Sequence, residues 1–211
     1  MTDQFLPFPS RGYALAFLML IICRGMDVFS TWVATPNLVL EGNPIAKRLG
    51  WKWGLPLNLG LCFALALWPF PAIVISTTSL LVAARNFQSA WLMRSLGEQA
   101  YRDWHIQRIQ ETSVTLYLFC LFGQTLLIAA VGAAVIVFSH WQVEIIPLGI
   151  GVGIILYAVA VVFFTLLSIW RLRRRALRHA EIVQRNLALE KNAARAARNG
   201  GWAAYAQPSD E

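Results

Sequence analysis

The 211-residue sequence is poor in charge: only 14% of it is Asp, Glu, Lys or Arg, where a soluble domain carries about a quarter. That shortage excludes an ordinary water-soluble domain. Cysteines are few and unpaired. Cys23, Cys62 and Cys120 fall in three separate apolar runs, so a disulfide framework is not expected and they read as buried free thiols. HExxH, GxSxG, CxxC and Walker signatures are missing, so no motif nominates a reaction, and no cofactor is expected. The apolar residues 13–23 meet Arg24 and Asp27 with no small-x-small cleavage site between, which reads as an uncleaved anchor and not a signal peptide. Ten-residue alternation is lacking as well, and with it the signature of a membrane β-barrel.

What the sequence has instead is apolar: 57% of its residues, with twelve Phe and nine Trp. A hydrocarbon core about 30 Å thick takes about 20 helical residues to cross, and in lipid a helix satisfies all its own backbone groups. The expected fold is all-α, a polytopic membrane protein with four transmembrane helices over about 13–34, 56–84, 113–138 and 146–170. An interfacial amphipathic helix (87–111), a basic C-terminal helix (171–199) and a flexible tail (200–211) complete the expected organisation. Pro69-Phe70-Pro71 interrupts the second span, which is read as one long kinked or partly broken helix, on the expectation that neither half alone is long enough to cross. Thr112 and Ser113 are a plausible cap for the third.

Four spans put both termini on one side. Arg11, Arg85, Arg94, Arg102, Arg108 and the tail are then cytoplasmic, while Lys47, Arg48 and Lys52 are left outside. The positive-inside rule therefore predicts a multi-pass protein of the inner (cytoplasmic) membrane with both ends cytoplasmic. The loop cations are the one exception. The net charge of +7 belongs to that inner side and does not call for nucleic acid.

Within 87–111, Met93, Leu96, Ala100 and Trp104 fall within about 60° of one another on a helix. Arg94, Glu98, Arg102 and His105 lie opposite, with Arg94/Glu98 and Glu98/Arg102 as i,i+4 pairs. This suits a helix lying in the membrane interface, or one packed on a cytoplasmic partner. Past Trp170, Arg171, Arg173, Arg174, Arg175 and Arg178 can attract anionic lipid at about 1 kcal/mol per cation, or simply enforce topology. Leu172, Ala176, Ala180, Val183 and Leu187 make a narrow apolar stripe, and Asn199-Gly200-Gly201 is expected to end the helix.

Asp27 lies about 21 Å into the first span, where a charge is costly unless it faces a partner or water. Arg24 and Thr31 share its face, so an Arg24–Asp27 pair turned into the bundle is the simplest reading. The functional alternative is a polar pocket, open outward, for protons or cations. Asn43-Pro44 forms an N-cap and N1 pair for a short helix that stops at Gly50. Glu41 precedes it, where a helix N-terminus favours a carboxylate. Asp27, Glu41, His140 and Glu144 could converge on a metal ion. The segments Asp27-Val-Phe-Ser-Thr31 and Glu41-Gly-Asn43-Pro44 together resemble a family of small uncharacterised prokaryotic membrane proteins. These carry D-x-x-[ST]-T on the first span and E-x-N-P after it. The likeness covers residues 24–50 and implies that Asp27, Thr31, Glu41, Asn43 and Pro44 act as one unit. It implies no activity.

Gly149-Ile-Gly-Val-Gly153 lies in an apolar run with no preceding strand, so it reads as a small-residue helix face and not a dinucleotide loop. Gly149 and Gly153 would admit a close helix, with Ala129 and Ala133 as the matching surface. Gln124 is expected to make an interhelical hydrogen bond. Three functional classes follow. The favoured one is a non-catalytic accessory or scaffold subunit that binds anionic membrane lipids or other membrane proteins, self-association included. The alternatives are a transporter or ion-handling protein using Asp27, and a metal-dependent membrane enzyme.

Overall fold

Prolines and capping residues decide where the helices begin. The computed structural model describes residues 5–139 and 144–203, in which every regular element is an α-helix. Ser10 caps α1 (Arg11–Ala34), its Oγ accepting from Tyr13 N at 3.1 Å. Asn43 caps α2 (Pro44–Leu65) through Oδ1 and Ile45 N at 3.0 Å, with Pro44 in the first turn, as expected. Gly50 (φ 61°) breaks α2 where the sequence predicts a stop. Trp68 is held extended by the proline that follows, and α3 starts at once with Pro69 (Pro69–Leu96). Gly97 (φ 81°) separates α3 from α4 (Glu98–Glu111). Ser113 Oγ accepts from Leu116 N at the start of α5 (Val114–Ser139), and α6 covers Ile145–Ala203.

Four helices are long and apolar enough to cross a membrane: α1, α3, Val114–Phe138 of α5 and Ile145–Arg171 of α6. An all-α multi-pass membrane protein is therefore what the chain builds. The second span differs from expectation. Residues 56–84 are not one kinked helix: the chain reverses at 66–68, and the crossing helix is α3, which runs on to Leu96. Two prolines within three residues cannot sit inside a helix but are tolerated at its start. Residues 87–96 thereby belong to α3, so the single helix expected over 87–111 is not formed, and its face of Met93, Leu96, Ala100 and Trp104 is split at Gly97 between α3 and α4. Glycine does not end α6 at residue 199 either, since it continues to Ala203. Residues 204–211 lie outside the described part.

The chain forms two compact units, Met1–Leu166 and Leu167–Glu211. Contacts within the first give the helix directions. Leu6 N donates to Leu67 O (2.8 Å) and Arg24 reaches Ser79 (3.3 Å), while Asn86 donates to Ser30 and Thr31 (3.2 and 3.1 Å). Residue numbers rise together, so α1 and α3 are parallel. Parallel neighbours need a return between them, and the second half of α2 (51–65) supplies it. Trp51 Nε1 bonds Pro36 O at one end, and Phe63 O accepts from the Tyr13 hydroxyl at the other. Its fifteen residues rise about 22 Å, less than a full span; the 66–68 turn completes the return. Leu20, fully buried, packs there with Tyr13, Cys62, Ala66 and Ala72.

The same reasoning places α5 and α6. Gly149 faces Ile73 and Gly153 faces Thr77, so α6 runs parallel to α3; Gly151 faces both Gly132 and Ile136, and Gly132 also faces Ile155, so α5 is antiparallel. Leu121, Tyr157 and Val161 form the second core cluster, with Leu81 and Val82 against it. Directions thus alternate through five segments, not four. Arg11 and Leu166 consequently lie at opposite ends of the first unit.

Candidate functional site

Three helices bring polar side chains to one place at membrane depth. Arg24 on α1 pairs with Asp27 Oδ2 at 3.0 Å, an i,i+3 contact made possible by helical spacing. The same guanidinium donates to Ser79 Oγ on α3 at 3.3 Å and to Asn58 Oδ1 on α2. Asn58 is itself oriented by donating through Nδ2 to Gly54 O at 2.8 Å. One turn further along α1, Ser30 Oγ donates to Asp27 O at 2.8 Å, and Asn86 Nδ2 joins Ser30 to Thr31. The pair expected from sequence is present and turned inward, with side chains 27% and 17% exposed for Arg24 and Asp27.

Glu41 lies within electrostatic range of Asp27, but its hydrogen bond is local. Its Oε1 accepts from Asn43 N at 2.7 Å, ordering the entry to α2 beside the Asn43 cap. Arg24, Asp27 and Thr31 thus share one cluster, while Glu41 and Asn43 organise the adjoining loop. Glu144 immediately precedes α6, at the end of the bundle that holds Arg11 and opposite the end of Asp27 and Glu41, so it does not converge with them. His140 lies outside the described residues. Among the described residues no three His, Cys, Asp or Glu side chains stand together to hold a metal ion.

A second carboxylate, unremarked from sequence except as a helix pair, closes the loop after α1. Glu98 accepts from Thr35 Oγ1 (3.1 Å), Asn37 N (2.9 Å), Asn37 Nδ2 (3.3 Å) and Val39 N (3.3 Å). The expected Arg94/Glu98 and Glu98/Arg102 pairs are not formed. Gly97 turns the chain between them, Glu98 takes the loop, and Arg94 lies over the Trp32 ring at 5.8 Å. Glu98→Ala would remove the acceptor of the part-buried Thr35 hydroxyl and Val39 N–H, at about 1–3 kcal/mol for a buried group left unsatisfied, while the exposed Asn37 donors can turn to water. We expect faster proteolytic nicking between residues 35 and 43, read on gels of the detergent-solubilised variant. A nicking rate equal to wild type would show that Glu98 does not hold the loop. On α4, the Tyr101 ring stacks on His105 at 5.9 Å; burial raises its phenol above the usual range, and Arg85 pulls the other way.

The glycine face is real but divided. Gly149 and Gly153 pack on α3, where an added Cβ would stand 2.8 Å from Ile73 Cγ2 or Thr77 Cβ. Ala129 and Ala133 are not their partners. The close α5–α6 approach uses Gly132 and Gly151 instead, because residues two apart on a helix point to nearly opposite faces. Gln124 makes no hydrogen bond among the described residues and is exposed. Cys23 and Cys62 are buried free thiols as expected, whereas Cys120 is exposed. In the second unit, Arg174 stacks on Trp170 at 4.0 Å and Arg171 is half-buried. The side chains of Arg173, Arg175 and Arg178, and those of Leu172, Ala176, Ala180 and Val183 in the apolar stripe, lie outside the described residues; Leu187, its last member, is exposed.

Asn58, Ser79 and Asn86 escaped sequence reasoning, and Glu98 was given the wrong partners. Asn58 and Asn86 carried a signal, being lone amides in or beside apolar runs. Ser79 carried none, since serine is common in membrane helices. No protein-family model matches the chain, and neither the curated proteins nor the solved structures contain a match to it.

Proposed function

We propose that this chain is a non-catalytic scaffold of the inner membrane that presents a basic surface to partner proteins or anionic lipid on the cytoplasmic side. The closure of the Arg24 cluster carries this reading. The guanidinium is engaged by Asp27, Ser79 and Asn58, which pins three helices together. Charge supplies the orientation. Lys47, Arg48, Lys52, Arg94, Arg102 and Arg108 are carried by segments at the end of the first unit where α1 and α3 finish, and the chain leaves that unit there toward its arginine-rich tail. The opposite end has Arg11, and the 139–144 connection has no Lys or Arg. The positive-inside rule then puts the basic end in the cytoplasm and the amino end of α1 outside. The loop cations that broke the rule under four crossings obey it under five.

Affinity purification in mild detergent tests the scaffold reading. A stoichiometric partner protein or retained anionic lipid is expected, and a preparation with neither would overturn it. Orientation has its own test, with a membrane-impermeant maleimide on intact cells. Phe8→Cys, at an exposed position, should label, and Arg48→Cys should label only after permeabilisation. The reverse pattern would restore a cytoplasmic amino end.

A further inference from the structure

We infer that this protein pairs with a second copy of itself through α5, with Gln124 of each copy bonded to Gln124 of the other. Gln124 lies about 15 Å from the start of α5, at the middle of a hydrocarbon core about 30 Å thick. It is exposed and bonds to nothing among the described residues. A primary amide facing lipid at that depth leaves donors and an acceptor unsatisfied, which is unfavourable where no water can serve them.

The chemistry selects a second copy. An amide is both donor and acceptor, so two of them about a two-fold axis satisfy each other reciprocally. An axis normal to the membrane brings the two Gln124 residues to the same depth by construction; an unrelated partner would need a polar group at that level. The surroundings admit such an approach. Leu116, Cys120, Leu127 and Val131 share the helical face of Gln124, and all are exposed. Gly123 adjoins it, with open space where a side chain would stand. The pairing is independent of the scaffold reading and would hold equally for a transporter.

Cys120, one turn from Gln124, provides the readout. Mild oxidation with copper phenanthroline in native membranes should give a disulfide dimer that disappears in Cys120→Ser. In a Cys120→Ser background, Phe119→Cys, exposed but on a different face, should cross-link much less. Gln124→Leu, tolerable to the monomer on a lipid-facing position, should weaken the dimer about five- to tenfold by analytical ultracentrifugation in detergent. The inference is overturned if no Cys120-dependent dimer forms, if position 119 cross-links equally, if Gln124→Leu dimerises as wild type, or if Cys120 is captured by a different protein.

Discussion

Arg24→Ala should destabilise the bundle by about 3 kcal/mol, the order expected when one member of a buried ion pair is removed and the other stays charged. The loss is larger than a surface pair would give because the cluster lies at membrane depth, where Asp27 has little water to turn to. Asn58 Oδ1 and Ser79 Oγ lose their common donor at the same time. Asp27→Asn should cost less, since the amide oxygen still accepts from Arg24. The double change Arg24→Leu with Asp27→Leu should recover most of the loss, because it removes both charges together. Unfolding by SDS titration in bicelles, or thermal melting in detergent, measures all three. This set also separates the structural role from an ion-handling one. If Arg24→Ala and Asp27→Asn melt as wild type while a transport or binding activity is lost, the cluster is a pocket and not a pin.

Gly151→Ala is the second large effect, and it follows from distance alone. A Cβ at Gly151 would stand 2.5 Å from Ile136 Cγ1 and 2.7 Å from Gly132 O. The carbonyl is backbone and cannot rotate away, so α5 and α6 must separate. Overpacking of this kind costs about 1–3 kcal/mol, and here the upper part of that range is expected. Separation also loosens Leu121, Tyr157 and Val161, which pack across the same seam. Gly60→Ala is the control: no atom lies within 4 Å of its added Cβ, and helix propensity alone would raise stability by about 0.5–1 kcal/mol. Melting temperatures that fall for Gly151→Ala and do not fall for Gly60→Ala would confirm the close approach. Equal behaviour of the two would refute it.

Much of the candidate site was legible because it is local. Arg24 and Asp27 are three residues apart on a helix, so their pairing needs no knowledge of the fold. Asn43 with Pro44, and Gly50 after them, announce a capped segment and its break through backbone chemistry alone. Asn58, Ser79 and Asn86 come from other helices, and which of their faces meet α1 depends on rotations that no local spacing encodes. Glu98 was misassigned for a related reason. Its sequence neighbours offered two helical ion pairs, but Gly97 breaks the helix that those pairs presuppose, and a loop sixty residues away offers better donors.

The sequence by itself determined the solvent, the secondary structure and the sites where helices stop, since burial in lipid, caps, prolines and glycines act over a few residues. Only the tertiary structure decided the number of reversals and hence which end of the bundle each loop occupies. Residues 51–65 are too short to be recognised as a crossing by length. They nonetheless return the chain because α1 and α3 pack in parallel through Leu20, the Arg24 cluster and Asn86. That packing is a long-range choice, made by side chains more than fifty residues apart. It moves Lys47, Arg48 and Lys52 to the end of the bundle that carries the other cations.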